Sequence, residues 1–149
     1  MRHKLHRNLR VNLFLFVVFA DIIYILTDSE AFSEFYKVAG DRIVGKSADQ
    51  LRRHKAPRKK ATNNFIESVG NKQLADVATG DMFAFRAAWL ERVAKGEVKA
   101  ESANKDFIYL GAMWRAVAQA KGIPLRFATE GLALSASKGK KATRPPVQR

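Results

Sequence analysis

Between residues 97 and 125 the chain reads EVKAESANKDFIYLGAMWRAVAQAKGIPL. Phe107, Leu110, Gly111, Trp114, Val117 and Ala118 recur there at the i, i+3, i+4, i+7 spacing that places every apolar group on one face of a helix. Gly122 and Pro124 then stop the pattern, the first able to leave the helix and the second unable to continue it. A stripe of this length needs an apolar partner surface, so it commits the chain to helix-on-helix packing.

The rest of the sequence repeats that grammar. In TDSEAFSEFYKVAGDRI, Asp28 or Ser29 is the expected N-cap, and Phe32, Phe35, Tyr36 and Ala39 make the stripe. In KSADQLRRHKAPRKKATNNFIESVG, Ser47 followed by Gln50 has capping-box spacing. Pro57 is expected to break or restart that helix, Ala61, Phe65 and Val69 to form its buried face, and Gly70 to end it. Leu74 and Val77 bridge to a helix capped by Thr79, carrying Met82, Phe85, Trp89 and Val93 inward and ending at Gly96. No Asn-Gly turn joins two alternating runs, and no glycine-rich phosphate loop is present. The fold expected is an all-α bundle of about four core helices spanning residues 29–133.

Two flanks differ in composition. Residues 1–28 run from basic to apolar, as an anchor or leader does. Asn12 and Asp21 interrupt the run, and Leu13 to Ala20 is much shorter than the ~20 residues of a spanning helix. An apolar helix packed on a partner surface, or a leader outside the domain, are the alternatives to a membrane role. Residues 134–149 are small, basic and proline-bearing, the composition of a flexible tail.

A chain of 149 residues carrying a net charge of +13 is expected to meet a polyanion, nucleic acid or an anionic membrane. Without cysteine it has no disulfide and no thiolate metal site, and His3, His6 and His54 lack an acidic cluster. No catalytic motif stands out, so no enzyme activity, metal, cofactor or small-molecule substrate is expected. Two basic clusters fit phosphates instead. Arg52, Arg53, Arg58 and Lys59 belong to the run RRHKAPRKK, with Arg58, Lys59 and Thr62 expected to face outward. Lys99, Ser102, Asn104 and Lys105 crowd the start of the long stripe, where a helix already favours an anion. From there Asn104 and Lys105 are within reach of base edges if that helix enters a major groove.

From about Phe32 to Pro146 the chain resembles the N-terminal core-binding domain of phage-type tyrosine recombinases, the integrases. The likeness rests on FIESVGNKQLADVATGDMFAFRAAWLERV, then KAESANKDFIYLGAMWRAVAQAKGI, then GKKATRPP. It implies a SAM-like helical bundle that grips double-stranded DNA, in the cytoplasm, while a separate catalytic domain cuts the strand. That catalytic domain has no counterpart in these residues, so the resemblance implies DNA binding without cleavage, in competition with an intact recombinase. None of Tyr24, Tyr36 and Tyr109 is expected to be a nucleophile. The reading from a different class is a small basic protein held to a membrane by its apolar N-terminal segment.

Overall fold

The computed structural model describes residues 26–135, and they form an all-α helical bundle. Helix α1 is Asp28–Val38, α2 is Ala48–Val69, α3 is Thr79–Ala94 and α4 is Ala100–Lys121, with short 3₁₀ turns at Gly40–Arg42 and Leu74–Asp76. The two bridges of strand type, Thr27 to Gln73 and Ala78 to Arg126, are isolated pairings that tie loops together. Among the described residues no helix is long and apolar enough to cross a membrane.

The stripe on α4 is the centre of the core. Leu110, Met113, Trp114 and Val117 are fully buried, and α1 and α2 pack across them. Phe65 of α2 meets Trp114 edge-on at 4.9 Å between ring centres and Phe85 of α3 at 5.4 Å, and Phe85 meets Phe107 at 5.5 Å. Edge-to-face rings of this kind add specific attraction to the area they bury. Gly111, within the stripe, lies under the segment that follows α4: a Cβ there would sit 2.9 Å from the Thr129 methyl. Its small size is a packing requirement. Gly122 leaves α4 in the left-handed conformation, φ 68°, as the sequence led one to expect.

Several boundaries differ from the sequence reading. The N-cap of α1 is Thr27, whose hydroxyl and N–H both meet the Glu30 carboxylate, at 2.7 and 2.9 Å. Asp28 is instead the first helical residue and is fully buried, because its N–H and one carboxylate oxygen pair with the backbone of Lys72. The Ser47–Gln50 capping box forms. Pro57 breaks nothing: α2 runs through it to Val69. The Nη1 of Arg58 donates to the His54 carbonyl at 2.8 Å, in the turn where proline removes a backbone donor. Thr79 does not cap α3. Ala78 holds that position, Asp81 accepts its N–H at 2.9 Å, and the Thr79 hydroxyl pairs with the backbone of Arg126 and Ala128.

The folded body also reaches further than residues 29–133. The Leu26 carbonyl accepts the Leu74 N–H at 2.8 Å and its side chain packs on the core. At the other end Leu132 and Leu134 are buried, so Leu134 belongs to the core and not to the tail. Asn104 accounts for this, donating to the Leu134 carbonyl at 2.9 Å and accepting its N–H at 2.8 Å. The remainder of the apolar leader, with Tyr24, and of the basic tail lies outside the described residues.

Candidate nucleic-acid interface

The basic run lies on the first two-thirds of α2, and the structure distributes its cations unequally. Arg52 and Arg53 are exposed and both bind Asp49, at 2.7 and 2.8 Å. Two cations share one carboxylate, and exposed ion pairs hold their partners weakly, so both guanidinium groups remain available to a stronger anion. Lys59 and Lys60 are exposed, with no ion-pair partner among the described residues. Arg52, Lys55 and Lys59 flank a shallow hollow floored by Ala48, Leu51 and Ala56.

Arg58 does not face outward as expected. It is half-buried, with its guanidinium carbon 4.9 Å from the Tyr109 ring centre and 5.8 Å from that of Phe35. Thr62 is buried too, its hydroxyl donating to the Arg58 carbonyl at 3.1 Å. The cause is the crossing of α2 with α4. Arg58 covers Tyr109, Asn64 donates to Asp106 at 2.7 Å, and Phe65 meets Trp114 edge-on, so this face of α2 is interior.

The second cluster is divided more sharply. Lys99 is the N-cap of α4 and forms no side-chain cap, while Ser102 and Lys105 are exposed. Ser102 donates its own N–H back to the Lys99 carbonyl at 2.9 Å, so one amide of that helix start is already engaged. Glu101 stands in the same first turn and offsets part of the cationic charge. Asn104 is drawn away from the set: one donor and the carbonyl oxygen of its amide are held by the backbone of Leu134, which fixes the group toward the C-terminal segment. The two clusters approach each other where α2 crosses α4: Asn64 donates to Asp106, the neighbour of Lys105, and the charge of Lys60 acts on the same carboxylate.

Three carboxylates near these surfaces are perturbed. Burial raises Asp106 above the usual carboxylate range, against the Asn64 hydrogen bond and the charges of Lys60 and Arg92. Burial pushes Asp28 up to about 7, against the Lys72 backbone hydrogen bond and reinforced by the charge of Asp81. Burial alone would raise Asp81 too, but the Ala78 N–H and the Lys72 ammonium outweigh it and hold the group low. Tyr36 meets Nδ1 of His54 at 3.3 Å, and burial raises its hydroxyl, which disfavours the phenolate a nucleophile needs.

Sequence reasoning missed Arg42 and Lys46, two exposed cations in the turn between α1 and α2. The signal was present in GDRIVGK, a glycine-bounded loop with two basic residues directly before the basic helix. It also missed how charge is shared along the chain. Eighteen of the 27 Lys and Arg and thirteen of the 14 Asp and Glu lie between residues 26 and 135, so that span carries +5 of the total +13. Comparison with protein-family models, with curated proteins and with solved structures finds no match to this chain.

Proposed function

We propose that this chain binds double-stranded DNA, in the manner of the core-binding domain of a tyrosine recombinase, and does not itself cut the strand. The observation carrying the reading is the set of exposed cations on α2 and α4, Lys59, Lys60, Lys99 and Lys105, which have no acidic partner among the described residues. Arg52 and Arg53 add to them by exchanging one exposed carboxylate for phosphates. Such contacts neutralise the backbone without reading sequence. Support for the absence of cleavage comes from Tyr36: burial holds its hydroxyl above the ordinary pKa and so disfavours the phenolate.

Fluorescence anisotropy of a labelled 20-base-pair duplex, followed over a range of salt, tests the reading. Affinity of about 10⁻⁴ to 10⁻⁶ M at physiological salt is expected, with log affinity falling linearly against log salt. Absence of binding at low salt, or binding indifferent to salt, would remove the proposal. A covalent protein–DNA adduct trapped from supercoiled plasmid would remove the second half of it.

A further inference from the structure

We propose that Arg42, His54, Lys55 and Arg58, gathered around the rings of Phe35 and Tyr36, form with Lys46 at the entry to α2 a binding site for one phosphate group. The site deepens the DNA-binding reading if the phosphate is that of a duplex backbone, and stands apart from it if the ligand is free phosphate.

Three elements build the cluster. Arg42 ends the 3₁₀ turn after α1, Lys46 immediately precedes the Ser47 cap of α2, and the other three lie on α2 itself. Arg42 and Arg58 both flank Phe35, their guanidinium carbons 5.7 and 5.8 Å from its ring centre, which puts them within about 11.5 Å of each other. Lys55 lies 4.9 Å from the centre of the adjoining Tyr36 ring, and the Tyr36 hydroxyl meets His54 Nδ1 at 3.3 Å. The aromatic faces attract these cations, but weakly, and they do not cancel charge.

Two of the carboxylates on these segments are committed elsewhere. Glu34 is held by Lys37 and Lys121, at 2.9 and 2.6 Å, and Asp49 by Arg52 and Arg53. Asp41 is exposed and forms no ion pair among the described residues. The hydrogen-bonding inventory is equally incomplete. Arg58 has five N–H donors, and its acceptors among the described residues are the His54 carbonyl and the Tyr36 hydroxyl. Partial burial depresses the His54 pKa, and the nearby charges of Arg58, Lys46 and Arg42 depress it further. A phosphate oxyanion supplies what the cluster lacks: negative charge, and several acceptors matched to the fork of a guanidinium.

The test follows the His54 ring protons of the full chain by NMR while inorganic phosphate is added at constant ionic strength, with chloride as control. Saturable shifts are expected, together with a rise in the His54 pKa of about one unit, since an anion favours the imidazolium. Arg42→Gln and Lys46→Gln, both at exposed positions, should each weaken phosphate binding about tenfold, the loss of one charge-assisted contact. Shifts that never saturate, or that persist unchanged in the double variant, would overturn the site. The duplex decides the source. If the double variant loses duplex affinity in parallel, the site holds a backbone phosphate. If duplex binding is unchanged or absent while inorganic phosphate still saturates, the ligand is free phosphate; in the absent case the DNA-binding reading falls and the site stands.

Discussion

Asp28 and Asn104 are two polar side chains whose placement departs from an ordinary surface role. Asp28 is fully buried at the start of α1, and its Oδ1 has no hydrogen-bond partner among the described residues. The folded protein keeps a proton on it up to about pH 7, whereas the unfolded chain releases it near 3.8. Between those values the native state binds more protons, so stability is highest on the acid side and falls as pH rises toward 7. Asp28→Asn should flatten that dependence and stabilise the protein above pH 7 by on the order of 1–3 kcal/mol, read from urea melts at pH 5 and pH 8. A wild type that gains stability between those pH values through this residue would contradict the raised pKa. Asn104 makes a different demand. Its amide replaces what a neighbouring strand would give to Leu134, so Asn104→Ala should cost about 1–3 kcal/mol of stability by leaving those backbone groups unpaired. Duplex affinity of the folded fraction should be unchanged, and a loss of affinity at constant stability would return Asn104 to the interface.

Helix positions were legible in the sequence because the apolar stripes of α3, α4 and the second half of α2 carry the 3.6-residue period. Phe65, Phe85, Trp89, Leu110 and Trp114 all appear in the core where that period puts them. What local pattern does not encode is tertiary compensation. Pro57 reads as a helix break because it deletes a backbone donor, yet α2 is packed against α4 through Arg58, Asn64 and Phe65 just beyond it and the flanking turns stay helical. Arg58 reads as a surface cation because charge runs are solvated, yet α4 crosses just there and provides Tyr109 as a platform. The same limit hid the Asn104–Leu134 pairing, which joins residues thirty positions apart. Pro57 therefore costs helix stability without serving as a boundary. Pro57→Ala restores a donor facing the Arg53 carbonyl and should raise stability by about 1–3 kcal/mol, with no loss of helical circular dichroism. A lower melting temperature in that variant would mean that the proline geometry is needed to seat Arg58 on its rings.

For the whole molecule, the decisive quantity is where its charge resides. Residues 136–149 carry five Lys and Arg and no acid, as much net charge as the entire span from 26 to 135. Two mechanisms of DNA attraction follow from that division and they have different signatures. Fixed contacts each remove a counterion at a defined place, so Lys59→Ala and Lys105→Ala should each reduce the slope of log affinity against log salt by roughly 0.9, as on B-DNA. Lys138→Ala changes the same net charge from within the tail composition, and should alter the slope by much less if binding depends on the surfaces of α2 and α4. Lys59, and not Arg58, is the informative position because Arg58 is half-buried against Tyr109 and Phe35, and its removal would also expose those rings. Circular dichroism of the three variants should be indistinguishable, since Lys59 and Lys105 are exposed and unpaired among the described residues. Equal losses of slope in all three would mean that the chain is attracted by bulk charge alone, and the interface on α2 and α4 would have to be given up.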